Sequence, residues 1–250
     1  MHVTHAMWEG RTLMWRVRRF SVSLALLVVV VLAACGGGTS GQQTSTSNGF
    51  PTSAAHPTPV VRTFQGCPPT GDGGDGQLNT RKNRIDDGEG GTYHDVTLST
   101  LLGLTWPQGI EKRQRANWSS ADRAAVAQDE GVAVRTTGYI LDLRHEGTES
   151  PNCHAVDSRD FHVWLAVNPG DAKSHAMVIE VTPRVRAIRA GWTDSALSAL
   201  RGKQVRISGW LMMDQEHPEQ VNQTRATLWE IHPIIHIEVR QNGQWTSIDS

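Results

Sequence analysis

The chain has little of what usually announces a function. Its 24 Lys and Arg nearly balance 25 Asp and Glu, so no field of one sign advertises a charged partner. It has no G-x-S-x-G nucleophile elbow, no H-E-x-x-H pair and no glycine loop that could cradle phosphate. These absences weigh against the common hydrolase, zinc-protease and nucleotide-binding classes. No internal repeat is present. Three cysteines, Cys35, Cys67 and Cys153, are too few for more than one disulfide. The one long apolar run, SVSLALLVVVVLAAC from Ser21 to Cys35, falls short of the roughly 20 residues that a membrane-spanning helix needs.

What is present near the N-terminus explains that run. Arg11, Arg16, Arg18 and Arg19 precede it, giving the basic and apolar regions of a secretory signal. It ends in Leu32-Ala33-Ala34-Cys35, followed by three glycines. This ending resembles the lipobox of bacterial lipoproteins. The resemblance implies a signal peptide over 1–34, lipid on Cys35 as the mature N-terminus, and extracytoplasmic anchoring to the cell membrane. Translation could equally start at Met7 or Met14. With Cys35 lipidated and the compartment oxidising, Cys67 and Cys153 are expected to form a disulfide; the alternative keeps Cys153 free as a metal ligand.

Residues 35–66 are rich in Gly, Ser, Thr, Gln and Pro, the composition of a disordered tether. Residues 67–130 are polar and turn-rich. Within them DGGDGQLN invites a calcium loop. Aligned on Gly76, however, it puts Gly71, Gly73 and Lys82 where oxygen ligands belong, so a solvated loop is expected. A short helix follows, capped near Ser119, built on ADRAAVAQDE and ended by Gly131.

From residue 131 the pattern alternates with period two. Val132–Leu143, Asp160–Val167, Ala176–Thr182, Gln204–Asp214 and Thr227–Val239 read as five strands, with a helix in GWTDSALSALRGK between the third and fourth. The fold class expected is mainly β. Over 131–245 the element order resembles the OB-fold, a five-stranded Greek-key barrel. The segments FHVWL, VIEVTPRVR, VRISGWLMMDQEHPEQ and TLWEIHPI are also similar to a group of bacterial secreted proteins to which no function is attached.

Side chains alternate across a strand, so parity sorts the last strand into two faces. Trp229, Ile231, Ile235, Ile237 and Val239 form the core face; Glu230, His232, His236 and Glu238 form an outer one. The same rule places Asp160, His162 and Trp164, and then Glu180, outward. In an OB-like order the third strand lies between the second and fifth. Asp160, His162, Glu180, Glu230 and His232 could therefore share one external face. Two histidines with carboxylates suit a divalent metal or acid–base chemistry. Cross-strand His–Glu pairs on a solvated face are the plainer reading, under which no cofactor is required. Pro233 points to an edge strand or a bulge, which would turn His236 away from His232.

The remaining surface candidates are Trp164 as a stacking platform and His217 in the loop DQEHPEQVNQT, together with His236. Residues 131–250 hold 12 Lys and Arg against 14 Asp and Glu, too acidic a balance for phosphate backbone binding. Two functions remain. One is a lipid-anchored module binding a small-molecule or protein ligand. The other is a zinc-type metal-dependent enzyme using the Asp/Glu/His face.

Overall fold

The structure, a computed structural model, describes residues 63–111 and 113–250. The signal, Cys35 and the tether as far as residue 62 lie outside the described residues. No helix among the described residues is long and apolar enough to cross a membrane.

The chain runs through α1 (Gly76–Lys82), β1 (His94–Asp95), α2 (Leu98–Leu102), α3 (Ser120–Val126), β2 (Ala133–His145), β3 (Phe161–Ala166) and β4 (Met177–Val181). It continues through α4 (Pro183–Arg186), α5 (Asp194–Ser198), β5 (Gln204–Met213), β6 (Trp229–Gln241) and β7 (Gln244–Ser247). The sheet order is β1-β2-β3-β4-β6-β5, and β2 also pairs with β5. That last pairing closes β2, β3, β4, β6 and β5 into a five-strand barrel. The structure is therefore mainly β and consistent with an OB-like barrel, with β1 and β7 as two extra strands.

Closure depends on β2 serving two neighbours. Ala133–Tyr139 pairs with β5 and Tyr139–His145 with β3, with a register shift between Ile140 and Asp142. Two glycines permit the tight crossings. A Cβ at Gly138 would lie 2.8 Å from the Ala166 carbonyl oxygen, and one at Gly209 would lie 2.4 Å from that of Pro233. Any side chain at either position would force the strands apart. The barrel interior follows the parity expectation: Phe161, Val163, Leu165, Ile179, Val181, Ile207, Leu211, Ile231 and Ile237 are all buried. α5, capped by the Thr193 hydroxyl, adds Leu197 to this core, and Leu200 just after it adds another.

The segment before the barrel is more ordered than its composition suggests. The stretch expected as a solvated loop contains α1, whose N-cap Asp75 accepts from the backbone N–H groups of Gln77 and Leu78. Asp75 also accepts from the Arg115 N–H at 2.5 Å, so its oxygens are used in capping. Tyr93, Leu98, Leu101, Ile110, Trp118 and Val126 belong to the same apolar cluster as the barrel interior. The segment just before Cys67 is tied to the rest, since the Phe64 N–H donates to Asp157 Oδ1 at 3.2 Å. The short α4 was not expected; its signal was Thr182 as cap with Pro183 at the first helical position.

Pro233 does not mark an edge. β6 lies between β4 and β5 and also carries β7. Its pairing with β4 stops at Ile231, just before the cis His232–Pro233 bond, and its register against β5 shifts opposite this point. The proline sits where β6 leaves one neighbour, so its missing N–H costs no bond to β4.

Candidate functional site

Strand register brings the expected residues together. His162 lies directly opposite Glu180 across β3 and β4. Val178 is opposite Glu230 across β4 and β6, and two residues further along each strand Glu180 meets His232, with Oε2 3.5 Å from Nδ1. Asp160 precedes β3 at the same end. Asp160, Glu180 and His232 each offer one ligand atom, and these atoms all lie within 4.8 Å of one another. His162 and Glu230 flank this group without being part of it. His162 Nδ1 is 3.9 Å from Glu180 Oε1 and 2.9 Å from Glu146 Oε1; Glu230 Oε1 is 3.2 Å from His232 Nδ1.

The face is not external. Asp160, His162, Glu180, Glu230 and His232 are all buried, with Glu230 at 0% exposure and His232 at 1%. Parity sorted the two faces correctly but left open what covers the second. It is covered by α1 and the 149–154 turn, which pack against each other. The Cys67–Cys153 disulfide ties the turn to the segment that leads into α1. Asn83 Nδ2 donates to the Pro151 carbonyl at 2.8 Å, and the Ser150 hydroxyl to Asn79 Oδ1 at 3.1 Å. The turn delivers Asn152, whose Nδ2 donates to Asp160 Oδ1 at 3.0 Å. The disulfide also removes Cys153 from any ligand set.

The other surface candidates are placed elsewhere or covered. Trp164 is 2% exposed, so it is no stacking platform. Its indole N–H donates to the Thr224 carbonyl, and the Lys173 ammonium sits 3.7 Å from its ring centroid. His217 Nδ1 is 2.6 Å from Asp214 Oδ2. His236 is engaged by Asp249 and Asp87, at a distance along β6 from the buried group.

Four charged participants were not found from the sequence: Lys82, Arg225, Glu149, and Glu146 beside His162. Lys82, the residue that spoiled the calcium loop, is 3% exposed and feels Asp214, Glu149, Glu230 and Glu180. Arg225, just after the polar loop that ends at Thr224, is 0% exposed. It donates to Asp214 Oδ2 at 3.0 Å and to Glu230 Oε2 at 2.8 Å. Glu149 sits in the covering turn. Buried lysines and arginines are rare enough that sequence alone offers no reason to place them inside. The nearest signal was an arginine lying in sequence between two acids, Asp214 and Glu230.

Charge in this layer is out of balance. Glu146, Glu149, Asp160, Glu180, Asp214 and Glu230 are carboxylates, whereas Lys82, Arg225 and Arg144, which bonds Glu146, are the cations that do not depend on histidine protonation. Burial acts to lower the Lys82 ammonium, but the surrounding carboxylates outweigh it and hold it well above the usual lysine range. Burial also opposes ionisation of Asp214, yet Lys82, His217 and Arg225 hold it well below normal. Glu230 is likewise lowered, against burial and Asp214, by His232 and Arg225. Against burial, His162 and Arg144 also lower Glu146, to about 2. Glu149, Asp160 and Glu180 go the other way. Burial, with Glu230 and Glu146 nearby, pushes Asp160 up to about 6. Burial, Glu230, Glu149 and Asp160 push Glu180 well above the carboxylate range. Two of the three clustered ligands are thus carboxyls whose ionisation the surroundings oppose.

The same atoms lack partners. Asp160 Oδ2, Glu180 Oε2, His232 Nε2, His162 Nε2, Asn152 Oδ1 and Glu149 Oε2 are buried and accept or donate no hydrogen bond among the described residues. Buried polar groups without partners each cost on the order of 1–3 kcal/mol, so a set gathered in one layer points to a bound group. Asp160, Glu180 and His232 together could hold a metal ion.

Comparison with protein-family models, curated proteins and solved structures finds no match to this chain. The site is therefore read from its own chemistry. The clefts open to solvent lie elsewhere. One of about 790 Å³ is lined by Gln77, Thr80, Arg81 and Gln114 among others, and one of about 410 Å³ by Thr97, Arg135 and Thr137 among others. Neither is lined by the Asp160–Glu180–His232 group.

Proposed function

We propose that the protein is a cell-envelope lipoprotein whose OB-like barrel is a binding module with a divalent cation as its bound group. The observation that carries this reading is the buried set of Asp160, Glu180 and His232, with ligand atoms within 4.8 Å of one another and unpartnered atoms on all three. In an OB barrel the face of the second and third strands, with the loops beside it, usually takes the ligand. Here that face carries the carboxylates and imidazoles, and α1 with the 149–154 turn closes over it. Burial under this cover, away from the open clefts, suits holding an ion, whereas a metal enzyme must let substrate reach the metal. The lipobox and the Gly/Ser/Thr-rich tether support placement outside the cytoplasm, held to the membrane through Cys35.

Two measurements test this. Globomycin treatment, or Cys35→Ser, is expected to release the protein from the membrane fraction; unchanged retention overturns the anchoring. Metal analysis of the full chain, purified in detergent without an affinity tag or chelator, is expected to find about one equivalent of a divalent ion. It should be lost in Asp160→Asn. A folded protein that neither carries a divalent ion nor takes one up overturns the cation-binding reading.

A further inference from the structure

We infer that the ion is a first-row transition ion of the zinc class and not calcium or magnesium, an assignment that rests on the cation-binding reading above. The donor types argue for it. The clustered ligands are two carboxylates and an imidazole, a nitrogen–oxygen set that zinc-like ions favour; calcium and magnesium prefer oxygen alone. Calcium takes six to eight oxygens as a rule. Asp160 and Glu180 supply four at most, and one of these, Asp160 Oδ1, already accepts from Asn152. Three protein donors plus one further position make the tetrahedral set of zinc. Thiolate-seeking ions are disfavoured because Cys153, the nearest sulfur in the covering turn, is bonded to Cys67.

The imidazole orientation is the second, independent argument. His232 turns Nδ1 to Glu230 at 3.2 Å, with Glu180 Oε2 3.5 Å from the same nitrogen, and its Nε2 is buried without a partner. An imidazole with one nitrogen on a carboxylate and the other left bare is the arrangement by which proteins orient a metal-binding histidine and fix its tautomer. His162 repeats it: Nδ1 lies 2.9 Å from Glu146 Oε1, and Nε2 is unpartnered. An alkaline-earth site has no use for carboxylates that prepare imidazoles. Glu230 is a positioning residue in this scheme, and Arg225, at 2.8 Å from its other oxygen, holds it in turn.

The full chain, stripped with EDTA and dialysed, decides the matter. Zinc, manganese, calcium and magnesium are added separately, and binding is read by equilibrium dialysis and by the thermal midpoint. Zinc is expected to bind at one equivalent, about 100-fold or more tighter than calcium or magnesium. His232→Gln should weaken zinc by more than about 100-fold, because even an outer carboxylate partner is worth 10–100-fold, while His236→Gln leaves zinc binding unchanged. Cobalt(II), as a spectroscopic stand-in, should give the strong visible absorption of a four-coordinate ion. The circular dichroism of each variant establishes that it folds. If calcium or magnesium binds as tightly as zinc and is lost in Asp160→Asn, the zinc-class assignment fails and the cation-binding reading stands. If the folded chain binds none of the four ions, both fail.

Discussion

His232 and His236 sit four residues apart on β6, and the difference between them shows how one residue type takes two roles. His236 is about a quarter exposed, and both ring nitrogens are used: Nδ1 lies 2.6 Å from Asp249 Oδ2 and Nε2 3.0 Å from Asp87 Oδ1. It straps the C-terminal residues to the segment before β1, and nothing is left over. His232 is fully buried, has one nitrogen on Glu230 and leaves the other bare. A histidine whose hydrogen bonds are complete is explained by the fold. One that is buried and half-satisfied asks for something else in the site. Company reinforces the contrast, because the inner histidine lies among surplus carboxylates and the outer one between two aspartates at the surface.

The sharpest way to break this comparison is to remove a cation from each region. Arg225→Met leaves Asp214 and Glu230 buried without their guanidinium. Stranding buried charges costs about 3–5 kcal/mol, which lowers the thermal midpoint by on the order of 10 °C for a domain of this size. Arg206→Met removes the partner of Glu238, a bidentate but partly exposed pair, and is expected to cost less than about 1 kcal/mol. Urea denaturation of both variants measures the difference. Equal losses would show that the inner layer is no more demanding than the rim.

Opening the cover comes next in size. Replacing Cys67 and Cys153 together by serine removes a bond that spans 86 residues of sequence, at an expected cost of about 2–4 kcal/mol. Because the 149–154 turn carries Asn152 to Asp160, loosening it should also speed loss of a bound ion to chelator. The His236 contacts should be unaffected. A loss rate identical to that of the disulfide-bonded protein would show that the cover does not control access.

Much of the fold was legible because strand alternation is local. Phe161, Val163 and Leu165, or Ile231 and Ile237, announce an inward face within a few residues, and Thr193 announces a helix start. Which side chains share the second face was legible for the same reason: Asp160, Glu180 and His232 share a parity on neighbouring strands, as do His162 and Glu230. Its burial was not, because the cover comes from far upstream in a segment whose glycines, asparagines and charges read as solvated. Leu78 is a single buried leucine in α1 and leaves no periodic signal. Lys82 reads as surface, since a lysine is buried only when tertiary structure surrounds it with carboxylates. The two positive-φ residues of the covering turn, Cys153 and His154, likewise reflect the closed structure and no local preference.

The smallest effect expected belongs to His236, and its sign can be worked out. The hydrogen bond to Asp249 raises this imidazole above its ordinary value, assisted by Asp87 and opposed by burial. A folded value above the unfolded one, about 6.5, means its contribution is complete below about pH 6.5. It is lost as pH rises through the folded value. Asp249 and Asp87 are lowered, against burial, chiefly by their bonds to His236 and, for Asp87, to Tyr93. Their share is present above about pH 4 and is lost as pH falls through their folded values. The stability difference between the native chain and His236→Gln should therefore peak between about pH 4 and 6.5. Because the pair is partly exposed, it should stay under about 1 kcal/mol and shrink above that window. Denaturation midpoints from pH 4 to 9 measure it. The same variant must keep full affinity for a divalent ion; a loss of ion binding would place His236 in the inner site and dissolve the distinction between the two histidines.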